Sequence, residues 1–358
     1  MKKRLFSLFC FCCLLASGVL SAKTPKPRKK SSIVTMEVQV IDRKLKSSEQ
    51  KVREARAKAI TSMRTFLKKY PNHPKYTAPA MFRLAELLLS HAGDVYSRQL
   101  RYYQSQRKKY KKKLIKQEPK YPSMELTKTI HWLTKLYRQY PTYSRVAYVY
   151  YLLGYCYGMQ SNERKSLSFY LRLTTLQQLK KQHPSKYRSF KIPKSLVAEV
   201  WVRIGEHYFR TSKRKQAMHA YAQSLKYPSS ALFDKALYKL GWLHYLRDDF
   251  QGAIVRFTQL LEYYRNRRMK TGVLRKEAIE YIALSYVDER WGSLKKAMAY
   301  IRRVGPSKPY AKELLLRLIK HYGVMGHTSL QSRARNEFLK LYSKSQSTSL
   351  PASKPVKR

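Results

Sequence analysis

The residues able to do chemistry are few and scattered. Nine histidines occur in the chain of 358. None sits in a His-Glu-x-x-His pair, the spacing that puts two zinc ligands on one helix face. No Gly-x-Ser-x-Gly turn presents a nucleophile, and neither a Walker loop nor an EF-hand loop is present. His207 and His219 fall on two predicted neighbouring helices and could face each other, but two ligands without a third make a weak zinc site. Acidic residues number only 21. Among them Glu206 and Glu280 are the carboxylates a wall-cleaving hydrolase would have to use. Of four cysteines, Cys10, Cys12 and Cys13 lie in an N-terminal apolar run. Cys156 alone falls on a predicted helix of the main body, where it reads as a small buried apolar residue. The sequence names no reaction, cofactor or metal site, and the chain reads as non-catalytic.

The elements that would position these side chains are helices. Between 201 and 228, Trp201, Ile204, Gly205 and Tyr208 share one helix face. Ala217 and Tyr221 are four apart on a second helix, which Pro228 ends. Gly205 lets the second helix approach closely, with Ala217 as the small surface opposite. The Gly205 position has counterparts at Ala85, Gly154, Gly241, Ala283 and Ile319. Second helices follow with a small residue and a large one four later: Thr129 and Leu133, Ser166 and Tyr170, Ala253 and Phe257, Ala297 and Ile301, Ala334 and Phe338. Ala59 and Met63, before Pro71, read as an orphan second helix. The chain has only 12 glycines, which leaves little room for β-turns.

This pattern resembles the tetratricopeptide repeat, a helix-turn-helix unit with the signature Trp-x2-Leu-Gly-x2-Tyr, Ala-x3-Phe, Pro. The resemblance implies an all-α, helix-hairpin solenoid or superhelix. About six helix pairs would occupy 47–343. A pure array repeats every ~34 residues, and the counterparts above lie farther apart, so the early units carry insertions. The largest would be a helical extension over 92–117. Its stripe of Tyr96, Leu100, Tyr103, Arg107, Tyr110 and Leu114 alternates steps of four and three, the spacing of a coiled-coil seam. It predicts that the extension lies on its own second helix or on a partner. Residues 33–41 alternate like a strand, yet Val34, Val38, Ile41 and Leu45 also fit a helix face. The expectation is a basic flexible arm over 23–46 that leads into a helix, and a disordered tail over 344–358.

Residues 1–22 read as a secretory signal peptide. Lys2, Lys3 and Arg4 precede an apolar run over 5–15, followed by small residues as far as Ala22. The run is too short to span a membrane, and no clear lipobox is present. The expected location is the periplasm or the outer membrane. Export with such repeats resembles bacterial cell-envelope scaffolds of the BamD-like, Tol-Pal-coordinator and gliding-motility-associated kinds. The formal net charge is +54, a field that favours polyanions and opposes self-association. Two stretches concentrate it: Lys26, Arg28, Lys29 and Lys30 in the arm, and Arg107, Lys108, Lys109, Lys111, Lys112 and Lys113 in the extension. An alternative function is therefore polyanion binding, with lipopolysaccharide, wall polymer, lipid headgroups or, least in keeping with export, nucleic acid as partner.

In tetratricopeptide proteins first helices line the concave surface. The resemblance implies a partner groove lined by Phe82, Tyr148, Tyr151, Tyr155, Glu206, Phe209, Tyr238, Trp242 and Tyr245. Such a surface would take an apolar or Lys/Arg-bearing peptide of an envelope protein, through aromatic area and cation–π contacts. The expected function is a non-catalytic protein–protein interaction scaffold.

Overall fold

The computed structural model describes residues 32–342 apart from 270, 271 and 273, with side chains from residue 48 onward. The signal peptide, the arm up to residue 31 and the tail beyond residue 342 lie outside the described residues. Thirteen α-helices and no strand occur among the described residues. They fall into two units, divided between Ala59 and Ile60.

In the first unit the chain is helical from Ser32, the start of α1 (Ser32–Lys69). Over 32–46 the expected flexible arm is helical, and so is the stretch 33–41 that alternates like a strand. The helical period of Val34, Val38, Ile41 and Leu45 prevails, since a strand needs a ladder partner. Further along, Gln50 donates to Glu54 at 3.0 Å and Arg53 pairs with Glu49 at 3.8 Å.

The second unit begins inside α1, whose Ile60 and Leu67 are buried with Met63 packed beside them. Six hairpins follow: α2 (Thr77–Lys111) with α3 (Thr127–Gln139), α4 (Val146–Met159) with α5 (Glu163–Gln182), and α6 (Lys194–Arg210) with α7 (Arg214–Ser224). Then come α8 (Phe233–Tyr245) with α9 (Phe250–Asn266), α10 (Arg275–Val287) with α11 (Leu294–Val304), and α12 (Pro309–Val324) with α13 (Thr328–Tyr342). Each first helix packs on its second, except that α10 lies more against α9 and α12 than against α11.

Close approach of the paired helices has one cause repeated three times. A methyl group on Gly154 would sit 2.5 Å from the Tyr170 ring, one on Gly205 2.7 Å from Tyr221, and one on Gly241 2.9 Å from Phe257. The large residue of the second helix therefore lies on the bare backbone of the first. At Gly205 that residue is Tyr221, four positions after Ala217.

The turns repeat as well. Ser161, Ser212 and Asp248 carry φ near +59° and Gly326 +77°. Each stands at the same register after its Gly154, Gly205, Gly241 or Ile319 counterpart. A left-handed conformation costs a non-glycine residue roughly 1–2 kcal/mol. Ser212→Gly is accordingly expected to raise stability by about 1 kcal/mol, read as a rise in urea midpoint at unchanged slope. A lower midpoint would contradict this account of the turn. Asn162, Asp249 and Ser293 cap the helices that follow them.

The extension is shorter than expected. α2 ends at Lys111, and Lys113 turns the chain back with φ 58°. The seam meets an irregular return segment rather than a second helix. Tyr96 and Tyr121 share a hydroxyl hydrogen bond of 3.2 Å, and the Tyr103 ring stands edge-on to Tyr121 at 5.1 Å. Leu126 anchors the segment, fully buried.

Candidate partner-binding face

The nine candidates on the first helices do not form one open surface. Phe82 is 3% exposed. Its ring packs on Tyr143 at 5.9 Å and on Tyr148 at 6.5 Å, so it belongs to the core and is withdrawn from the contact list. Tyr151 is half-buried and donates to Glu199 at 2.6 Å. Tyr155 packs with Ala92, Leu126 and Cys156. Burial pushes the Cys156 thiol up to about 12, which keeps it in the unreactive thiol form.

Glu206 is also committed internally. It accepts the Tyr221 hydroxyl at 3.1 Å and pairs with Lys235 at 3.4 Å. Burial first, and then Glu206, raise the Tyr221 pKa. Tyr238 lies 6.0 Å from Phe257 and 6.5 Å from Tyr281. Tyr245 lies 5.0 Å from Tyr281 and 5.5 Å from Phe250. These rings pack one hairpin on the next.

Phe209 and Trp242 differ. Their rings are 5.1 Å apart across α6 and α8, and both stay partly exposed. The Lys239 ammonium lies 4.8 Å from the Phe209 ring centre and 5.6 Å from that of Trp242. An aromatic pair with a cation over it is a cation–π site occupied by the chain's own lysine.

Ionic bonds run along and between first helices, within α6 and α12 and across α6–α8 and α10–α12. Arg203 binds Glu199 at 3.0 Å. Farther along, Arg317 bonds both Glu280 and Glu313, Arg275 reaches Glu313 at 2.9 Å, and His321 meets Glu280 at 2.9 Å. Glu199, Arg203, Lys235, Lys239, Glu313 and Arg317 were missed in the sequence reading. Their signal is a pair of charges four apart on α6, α8 and α12, six and two residues before Gly205, Gly241 and Ile319.

His207 and His219 do not face each other. His207 meets Glu163 at 3.2 Å, while His219 stands edge-on to Trp201 at 6.0 Å. Among the described residues no group of three or more His, Cys, Asp or Glu is placed to hold a metal. Of the basic candidates, Lys26, Arg28, Lys29 and Lys30 lie outside the described residues. Arg107, Lys108, Lys109, Lys111, Lys112 and Lys113 are all exposed.

The fold and its first-helix face define a class, an all-α stack of helix hairpins. Within it, residues 235–267, most of α8 and all of α9, match the family model described as tetratricopeptide repeat. The chain is similar to a crystal structure of a Signal Transduction ATPase with Numerous Domains protein with a tetratricopeptide repeat sensor from Pyrococcus horikoshii. The identity is 16% and the TM-score 0.41, over 74% of this chain and 37% of that one. It is also similar to BtubC from P. vanneervenii, at 13% identity and TM-score 0.39, over 85% of this chain and 95% of that one. This chain therefore spans well under half the length of the Pyrococcus protein. No curated protein matches the sequence. The repeat at α8–α9 suggests a protein–protein interaction scaffold.

Proposed function

We propose that this protein is a non-catalytic scaffold, exported to the cell envelope, that binds a peptide of an envelope protein on the first-helix face of α6 and α8. The observation that carries the reading is the Phe209–Trp242 pair with Lys239 lying over it. A lysine or arginine of the partner would displace Lys239 and take its place on the two rings. Tryptophan and arginine contacts of this kind dominate many interfaces. Export is supported by the charged start, the short apolar run and the small residues of 1–22.

The test is capture of partners from crosslinked envelopes by the wild-type chain and by Phe209→Ala/Trp242→Ala. Loss of a specific partner is expected, with affinity for that partner down at least about tenfold. An unchanged partner set would sink the reading. A second reading, an anionic partner held by charge, is supported by the exposure of the α2 lysines. Salt separates the two, because polyanion binding falls steeply with ionic strength and aromatic capture does not.

A further inference from the structure

We propose that one side of the C-terminal half of α2 docks on an anionic lipid bilayer surface. The inference rests on the second reading and names its partner. At 3.6 residues per turn, Arg98, Arg101, Tyr102, Ser105, Lys108 and Lys109 fall on one side of the helix. All six are exposed, and Tyr102 is 67% exposed. The opposite side carries Tyr96, Tyr103 and Tyr110, and the first two are engaged by Tyr121. The cationic side is therefore the free one. α2 has no buried residue after Ala92.

The end of the helix continues the same surface. The Leu114 amide donates to the Lys109 carbonyl at 3.0 Å, and its side chain is 69% exposed beside Lys112 and Lys113. No acidic residue occurs from 98 to 116. Elsewhere in this unit Arg203, Arg210, Arg275 and Arg317 all find carboxylates. Among the described residues Arg98, Arg101, Lys108, Lys109 and Lys112 form no ion pair.

Charge alone would suit any polyanion. The apolar groups decide for lipid. Tyr102 borders the cationic sector, between Arg98 and Lys109 along the helix axis, and Leu114 follows its end. A ring with a polar tip sits well at the headgroup level. Lysine stems lie along the same boundary with their ammonium groups among the phosphates. A soluble anionic polysaccharide such as heparin has no apolar interior to take these two side chains. No helix among the described residues is long and apolar enough to cross a membrane, so the contact is peripheral.

The experiment is co-sedimentation of the full chain with phosphatidylcholine vesicles, with and without phosphatidylglycerol, in parallel with heparin binding. Wild type is expected to sediment with the anionic vesicles only. Arg98→Gln/Arg101→Gln/Lys108→Gln/Lys109→Gln is expected to weaken partition about fivefold per charge removed. A control with four exposed cations neutralised elsewhere, Arg164, Lys186, Arg214 and Lys215 to Gln, is expected to lose far less. Tyr102→Ser/Leu114→Ser is expected to weaken vesicle binding about tenfold and to leave heparin binding unchanged. The inference is overturned if this double variant partitions like wild type, or if the control loses as much as the α2 variant. It is also overturned if heparin is bound and anionic vesicles are not, a result that leaves the second reading standing.

Discussion

Tyr221→Ala is expected to destabilise the protein by roughly 3–5 kcal/mol, the range for removing a large buried aromatic side chain. Tyr221 is fully buried and occupies the space that Gly205 leaves open, with ring atoms 2.7–3.0 Å from where a Gly205 methyl would stand. Its hydroxyl adds the bond to Glu206. Three substitutions separate these contributions. Tyr221→Phe keeps the ring and loses the bond, about 1 kcal/mol. Gly205→Ala gains about 1 kcal/mol of helix propensity, yet forces a methyl against a ring that has no room to move. Overpacking of about 1–3 kcal/mol outweighs the gain, so a net loss is expected. Gly205→Ala/Tyr221→Leu should cost less than the sum of its parts, because the smaller side chain relieves the clash. Urea unfolding measures all three, and a Gly205→Ala variant more stable than wild type would refute the packing account.

The second large effect concerns Glu262 on α9. It accepts from Lys308 at 2.6 Å, from the Tyr310 hydroxyl at 2.5 Å and from Arg265 at 2.7 Å. Lys308 precedes α12 and Tyr310 lies within it, so one carboxylate ties α9 to α12 across the α10–α11 hairpin. Partial burial pushes its pKa up. Hydrogen bonds from Lys308, Tyr310 and Arg265 outweigh that and hold it at about 2, below its ordinary 4.5. Glu262→Ala is expected to cost roughly 1.5–3 kcal/mol, since the buried Tyr310 hydroxyl loses a charged acceptor. The sign of the pH dependence follows from the lowered value. A carboxylate whose folded pKa is depressed stabilises fully above its unfolded value and loses that contribution as pH falls towards the folded one. The difference between wild type and Glu262→Ala should therefore be constant above pH 4.5 and shrink from there to about pH 2. A difference that grows on acidification would refute the assignment.

Much of the fold was legible in the sequence because the hairpin leaves a residue-type imprint wherever backbones touch. Gly154, Gly205 and Gly241 mark the contact from one side, and Tyr170, Tyr221 and Phe257 mark it from the other. Asp249 caps α9 by accepting the Gly252 amide at 2.9 Å, the role its residue type favours at a helix start. What escaped depends on neighbours that are distant in sequence. Whether Phe82 is core or surface turns on Tyr143 and Tyr148, more than sixty positions on. The partner of the α2 seam is a segment with no periodicity, which pattern reading cannot see. Residues 33–41 satisfied both periods, and only the absence of a ladder partner separates them. The aromatics of the first helices were legible as residues of those helices. Which of them bridge hairpins was not readable, because ring contacts such as Tyr245 to Tyr281 require the stacking itself.

The carboxylates set an asymmetry in what this chain can tolerate. Glu163, Glu206, Glu262, Glu280, Glu313 and Glu337 each hold a cation on another helix or in the turn before one. Cations outnumber acids more than threefold, so most lysines and arginines have no carboxylate to answer to. Drift that removes a surface lysine lowers self-repulsion and breaks little. Drift that removes one of these six acids strands a cation where two helices meet. Lineages of such a protein should therefore vary freely in how basic they are while keeping their few acids in place.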